Sequence, residues 1–388
     1  MQQDWFTRPR LVAGVMTGTS LDAVDVAIAE FSMAAGQPVM SSVQGYSSPF
    51  SPEERRGLQD LIGVPHGISV VNDYNVWISH RIASVVRAAC DEYGIVTTKL
   101  DAIGMHGQTV WHDPSEHSLH GTPIRATLQL GSHATLAVLL GTIAVGDFRS
   151  ADVALGGQGA PLVPRFDADF LSDPYRNVIA LNIGGMANLT LLQQGCSADH
   201  VRAFDTGPGN VWIDYAAERW FAVRYDRNGD IARSGTLHAE LYSKLRALEF
   251  VYAPPPKSTG REYFSVQRLN ELLAACSGNL NPADIVHTLT LFTAWSIAEN
   301  IRRYGWENAT LAVSGGGSNN LFLMDALQRE LPQANVTTTD SLGIPSAWKE
   351  SLCFAYLAYR TLGGLHSNVP SVTGAVRSTV LGTIALPG

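Results

Sequence analysis

Residues 14–31 read GVMTGTSLDAVDVAIAEF. They continue an apolar run that begins at Leu11 and has the look of a first buried hairpin, strand, turn and strand. Yet the turn TGTS (17–20) and two carboxylates, Asp22 and Asp25, sit in its middle. A hairpin that only filled a core would gain nothing from them, so the stretch has to be read with the other Gly-rich turns of the chain.

Three such turns follow strand-like runs: NIGGMAN (182–188), DTGPGN (205–210) and SGGGSNN (314–320). Glycine also supplies positive φ in ordinary hairpins, so any one turn is compatible with a plain connection. Four of them with hydroxyl, amide or carboxylate neighbours point further. Backbone N–H groups exposed at such turns form concave anion sites, and the hydroxyls of Thr17, Thr19 and Ser20 add donors suited to a triphosphate. The first turn carries neither GxGxxG nor GxxxxGK[ST], which argues against a dinucleotide fold and a P-loop.

Carboxylates stand beside these turns. Asp22 and Asp25 flank the first, Asp147 ends the run TIAVGD, Asp205 ends VRAFD, and Glu350 opens the helix-like KESLCFAYLAYRTL. Aspartates at strand ends suit two tasks, holding Mg²⁺ through oxygen ligands and taking a proton from a nucleophile beside a transferring phosphoryl group. The alternative is a helix cap or an Asx-turn. Asp205 stands out, because DTGPGN runs on into a helix and would point N–H groups and a carboxylate at one spot.

Along the chain, short apolar runs alternate with helix-like stretches, which reads as α/β architecture. LVAGVM, VDVAIAEF, NDYNVWISHRIASVVRAACDEYGI, LDAIGMHG and TIAVGDF form one series. VIALNIGG, ANLTLL, AFDTG, a helix over about 210–222, a long helix near 281–304, ATLAVSGGG and a helix over about 319–330 form a second. Each series starts with strand, Gly-containing turn and strand. Gly and Pro crowd in GGQGAPLVPRFDADFLSDPYR, which places a boundary there. The expected domains are 1–160, joined by the C-terminal segment 361–388, and 161–360.

With 388 residues the chain can bury the cores of two domains. Cys90, Cys196, Cys276 and Cys353 form no CxxC pair, which fits reduced thiols rather than a zinc site or disulfides. The start MQQDWFTRPR has no cationic region followed by an apolar block, and no apolar stretch approaches the ~20 residues of a membrane span, so a soluble, unexported protein is expected. Lys and Arg total 27 against 35 Asp and Glu without a basic cluster, so neither nucleic acid nor membrane is expected as a partner.

Taken in order, GTSLDAVD, HGQTVWH, GDFRSADVALGGQGAPLVPRFD, LNIGGMANLT, FDTGPGNVWID, PKSTGREYF and SGGGSNN resemble the anhydro-N-acetylmuramic acid kinase family over residues 11–360. The resemblance implies a two-domain actin-like ATPase (ribonuclease H-like) fold with a nucleotide cleft between the domains. It also implies a cytoplasmic homodimeric enzyme of cell-wall recycling. Such an enzyme uses ATP and water to open a 1,6-anhydro ring and yields N-acetylmuramic acid 6-phosphate.

Carried over by position, Gly18, Thr19, Ser20, Leu21, Asp22, Ala23, Val24 and Asp25 match the first phosphate loop, with Asp22 or Asp25 toward Mg²⁺. Asn182, Gly184, Gly185 and Asn188 match the second phosphate turn. Gly207, Gly209 and Asn210 would adjoin the phosphates, and Gly315, Gly316 and Gly317 the nucleoside. Asp205 matches the catalytic base, Glu350 a second water-orienting carboxylate, and Arg149, His106 and Gln108 the sugar site. Arg149 suits a lactyl carboxylate, its alternative being a salt bridge to Asp147 or Asp152. Ala23 stands where the family usually has glycine, which a turn tolerates only at negative φ.

His106, His112, His117 and His120 match no metal-ligand spacing, and Pro114 and Gly121 mark their segment as a polar loop. Lys257, Ser258 and Arg261 lie in a polar loop before a helix, suited either to closing over a ligand or to a surface turn. The Gly-rich turns alone would also permit an actin-fold ATPase switch without sugar chemistry, or an ordinary sugar kinase acting on a free hydroxyl.

Overall fold

The opening hairpin lays down the first sheet in the computed structural model, which describes residues 4–18, 20–195 and 200–388. Thr19 and Cys196 therefore lie outside the described residues. Strand β1 (Arg10–Thr17) pairs antiparallel with β2 (Ala23–Ala34), and β2 with β3 (Gln37–Pro49). Helix Pro52–Gly63 follows, started by a capping box between Ser51 and Glu54, and then the long helix Ile68–Glu92. Strand β4 (Ala102–Leu119) returns parallel to β1, β5 (Thr122–Leu130) folds back on β4, and β6 (Ala144–Gly146) adds parallel to β4. The C-terminal strand Thr383–Ala385 closes that edge antiparallel to β6.

The stretch HGQTVWHDPSEHSLHG is strand rather than the expected loop. Register shifts between Thr109 and Trp111 and between Asp113 and His117 absorb Pro114, and only His120 and Gly121, at φ 51° and 79°, make the turn.

Strand alternation divides the sheet into two faces. Ala13, Val15, Val24, Val26, Ile28, Ile103 and Met105 share one buried cluster with Ile78, Ile82, Val85 and Val86 of helix Ile68–Glu92. The opposite face receives helix Lys349–Leu362, where Phe31 lies 5.6 Å from the rings of both Tyr356 and Tyr359. Gly14 and Gly104 make that approach possible. A Cβ would stand 1.9 Å from Ser351 O at Gly14 and 2.0 Å from Phe354 O at Gly104, so the helix backbone rests on the sheet itself. A buried ion pair, Lys349 to Asp167 at 2.7 Å, and Asp169, which accepts from Tyr356 (2.6 Å) and Arg360 (3.0 Å), pin it further.

These contacts place the helix in the first of two units, which runs to Phe170 and resumes over Trp348–Gly388. The expected boundaries at 160 and 360 fall ten residues earlier and inside this helix, because its seat on Gly14 and Gly104 leaves no mark in the local pattern.

The second unit, Leu171–Ala347, repeats the plan. Strands β7 (Val178–Ile183), β8 (Met186–Leu192) and β9 (Arg202–Pro208) form an antiparallel meander, and β10 (Thr310–Ser314) and β11 (Asn335–Thr338) add parallel beside β7. Its order, β11-β10-β7-β8-β9, equals β6-β4-β1-β2-β3 of the first unit. Two sheets of this order are the ribonuclease H-like topology twice over, as the actin-like reading expects. Helix Pro282–Arg302 runs between the β-sheet cluster, through Ala294, Ile297 and Ile301, and a helical cluster around Trp212, Phe264 and Phe292. Among the described residues no helix is long and apolar enough to cross a membrane, and Cys90, Cys276 and Cys353 are free thiols.

Candidate active site

In the first unit, the period-2 face that meets helix Lys349–Leu362 also gathers the polar residues. Asp25 alternates with the core-facing Val24 and Val26, and His106 with Met105. His106 is 4% exposed, with its ring 4.7 Å from Phe354. Its Nδ1 lies 2.7 Å from Gly107 O, an atom that only accepts, so Nδ1 carries the proton and Nε2 is the acceptor. Arg149 fills that acceptor twice, from Nε at 3.1 Å and from a terminal nitrogen at 2.8 Å, while its other terminal nitrogen donates to Gly159 O at 3.2 Å. Burial first, and then the Arg149 charge, push His106 down to about 3, so the ring is neutral; burial lowers Arg149 to about 10, still a cation at neutral pH. Gln108 is wholly buried, so Arg149 is the outward-reaching member of the expected sugar trio.

The alternative partners of Arg149 are engaged elsewhere. Asp147 accepts from the Ser150 hydroxyl, and buried Asp152 accepts from Gly159 N, Asn368 and Thr373. Glu350 is instead the carboxylate that Arg149 feels. The Glu350 side chain is open to solvent. Desolvation by the surrounding protein raises its carboxyl, Lys349 and Arg149 oppose this, and Asp25 adds to it. Asp25 is raised by burial too, against a 2.6 Å bond from the Ser47 hydroxyl, with the Asp22 charge adding. Fold and electrostatics thus bring Asp25, Glu350, Arg149 and His106 together.

The first turn is shaped by Leu21, not Ala23. Leu21 takes φ 55° and donates to Gly18 O at 3.1 Å, whereas Ala23 opens β2 in extended backbone, which is why alanine is accepted there. Ser20 and Asp22 are exposed, and Arg55 reaches both, 3.1 Å from Ser20 O and 2.8 Å from Asp22 Oδ1. Where the parallel pairing of β1 with β4 ends, Thr17 and Gln108 pair in register, and Thr17 Oγ1 and Gln108 Oε1 are both buried without a hydrogen-bond partner. Such orphans, side by side where a parallel pairing ends, mark where a ligand or water completes the structure.

In the second unit three of the Gly-rich turns converge. Asn182 pairs with Asn188 across β7 and β8 and with Ser314 of β10. Gly209 N and Val211 N donate to Gly185 O, Asn210 N donates to Gly184 O, and the Asn210 amide donates to Ile183 O at 3.2 Å. The Gly209 and Asn210 N–H groups, expected to adjoin the phosphates, together with that of Val211 clip the second turn to the third. Glycine is required for that closeness: a Cβ on Gly209 would stand 2.3 Å from Gly184 O, and one on Gly317 2.4 Å from Ile183. Gly315, at φ 80°, brings SGGG against Asn182 in the same way. Gly207 lies in β9 opposite Ala187.

Asp205, also on β9, is held from both ends by one segment. Its N–H donates to Lys257 O at 3.1 Å, and its Oδ2 accepts from Thr259 N at 2.7 Å. Burial raises its carboxyl to about 6, with the Thr259 bond and the Lys257 charge opposing the rise. A carboxylate poised there is ionised at neutral pH yet able to hold a proton, the property of a general base.

The sequence model for anhydro-N-acetylmuramic acid kinase matches residues 10–387. The chain belongs to that family. A protein of this name from Salinibacter ruber is 40% identical, the match covering 98% of this chain and 97% of that one. Another from Bacillus cereus is 36% identical over 97% of this chain and 99% of its own. Among solved structures, the activator of 2-hydroxyisocaproyl-CoA dehydratase from Clostridium difficile with bound ADPNP aligns over 91% of this chain and 95% of that one, at 11% identity and TM-score 0.47. Membership of the anhydro-N-acetylmuramic acid kinase family makes the protein a phosphotransferase.

Two groups of this kinase escaped the sequence pattern. Thr259 holds Asp205 through its backbone, so no side-chain signal could mark it. Asp214, in the first turn of helix Val211–Phe221, is raised to about 7 by burial, against Arg261 and with Asp226 adding. An acidic residue in a first helical turn reads as dipole compensation, which hides it. Among the described residues no three His, Cys, Asp or Glu side chains are grouped to hold a metal.

Proposed function

We propose that the protein uses ATP and water to open the 1,6-anhydro ring of 1,6-anhydro-N-acetylmuramic acid, giving N-acetylmuramic acid 6-phosphate and ADP. The observation that carries this reading is the family match over residues 10–387.

Water bonds to the anomeric carbon and passes its proton to Asp205, in the manner of the base of an inverting glycosidase. The bond from that carbon to O6 breaks, its electron pair stays on O6, and O6 takes the γ-phosphoryl group as the bond to the ADP oxygen breaks. Glu350 serves as a second, water-orienting carboxylate. Arg149 spends three of its five N–H groups on His106 and Gly159, which leaves one on each terminal nitrogen for the lactyl carboxylate of the substrate. The turns at 18–25, 182–188, 207–210 and 315–317 bind ATP, Thr19 included.

Asp25 fits as an oxygen ligand for Mg²⁺, since Asp22 and Glu350 concentrate negative charge around it, whereas Asp22 already has Arg55. Bound there with the phosphates, the ion would offset charge on the transferring group. The protein acts as a cytoplasmic homodimer on this amino sugar, without nucleic-acid or membrane partners.

Turnover in ¹⁸O-labelled water tests the reaction: one labelled oxygen is expected at the anomeric position of the phosphorylated product. Unlabelled product would make the protein an ordinary kinase of free hydroxyls, and no turnover of the anhydro sugar would leave a nucleotide switch.

A further inference from the structure

The segment that holds Asp205 is itself held by one side chain. Lys257 accepts the Asp205 N–H on its carbonyl, and two residues later Thr259 N–H donates to the Asp205 carboxylate. The Lys257 ammonium turns away from that carboxylate's bond and donates to Phe250 O and Val251 O, both at 3.1 Å, in helix Glu249–Tyr252. It lies 4.9 Å from the Phe250 ring centre and 5.9 Å from that of Phe204, the neighbour of Asp205 on β9. Removing the ammonium would free the strap from its anchor and orphan two carbonyls at once.

We propose that Lys257 is a positioning residue for Asp205: its ammonium pins the strap 257–259 to helix Glu249–Tyr252, and the pinned strap fixes the carboxylate that receives the proton of water. This rests on Asp205 being the base. The charged groups around the pair are few. Asp205 faces Lys257 and Glu262, and Lys257 faces Asp205 and Arg303, which in turn donates to Tyr252 O at 2.8 Å and pairs with Glu299. Burial and Arg303 lower Lys257 to about 8, so it remains mostly charged at neutral pH and favours the ionised form of Asp205. Thr259 Oγ1, three bonds from the N–H that holds Asp205, is buried without a hydrogen-bond partner, as expected of a hydroxyl whose water or substrate partner arrives with the reaction.

The test compares Lys257→Met, which keeps the length and loses the charge, with Lys257→Arg. Steady-state kinetics over pH 5–9 are read beside a ¹³C titration of the Asp205 carboxyl in the free enzyme, assigned with Asp205→Asn. Lys257→Met should lower kcat about ten- to a hundredfold with the KM for ATP within about twofold. Its Asp205 titration and the acid limb of kcat/KM should both move up by about half a pH unit or more. Lys257→Arg should return most of the kcat. A Met variant whose titration and acid limb stay in place overturns the proposal, whether its kcat is unchanged or falls only with the folded fraction. The carboxyl titration needs no substrate, so it judges the strap even if wild-type protein fails to turn over the anhydro sugar, an outcome that would count against the proposed reaction alone.

Discussion

Arg149 places two of its N–H groups on a single atom, Nε2 of His106, at 3.1 and 2.8 Å. The Nδ1 bond to Gly107 O selects the tautomer that makes this possible, and burial keeps the ring neutral. The His106 ring resonances should accordingly be independent of pH between 5 and 8. A titration in that range, read by proton NMR, would contradict the arrangement.

The same fork makes Arg149→Lys a poor substitute. A lysine ammonium cannot meet His106 Nε2 and Gly159 O while offering two further parallel N–H groups to a carboxylate. We expect the KM for the anhydro sugar to rise about tenfold or more, with the KM for ATP within about twofold. An equal loss toward both substrates would remove Arg149 from the sugar site.

Asp205→Asn keeps an acceptor for Thr259 N–H but cannot take a proton. Turnover should fall by about 10²–10⁴, while calorimetric ATP binding is retained. Substantial remaining activity would assign the base elsewhere, with Glu350 next in line. In wild-type protein, kcat/KM should fall as pH drops through about 6, because the base must be ionised.

The Asp205 carboxyl also sets a pH dependence of stability. Its value of about 6 in the fold lies above the ordinary 3.8, so the folded state binds the proton more tightly, and wild-type protein loses stability as pH rises from about 4 to above 6. Asparagine escapes that cost. Asp205→Asn should be more stable than wild type at pH 8, by at most about 3 kcal/mol at about 1.4 kcal/mol per pH unit, and equal to it below about pH 4. Denaturant unfolding at pH 4 and 8 measures the difference, and a constant offset would contradict the cause.

Gly209→Ala drives a methyl to 2.3 Å from Gly184 O, in the clip joining the second and third turns. Overpacking of this kind costs about 1–3 kcal/mol, and here it also opens the bonds from Gly209, Asn210 and Val211 to Gly184 and Gly185. Lower thermal stability together with a raised KM for ATP is expected. A neutral result would show that the turn relaxes without using the clip.

Sequence by itself determined the elements and the family. Helices Ile68–Glu92, Val211–Phe221 and Pro282–Arg302 follow their apolar periodicity to within a few residues, and the glycines sit where two chain segments touch. Asp205 was legible because a Gly-rich turn and a helix follow it directly. Tertiary structure alone decided the partners. His106 meets Arg149 across 43 residues and Asp205 meets Thr259 across 54, through a backbone group that every residue but proline carries. It also turned Asp25 out of the hydrophobic hairpin of residues 14–31, since alternation along β2 buries Val24 and Val26 against one helix and turns Asp25 toward Glu350 at the start of another. Periodicity is written in neighbours along the chain, whereas the charge a carboxylate feels depends on what the fold brings beside it.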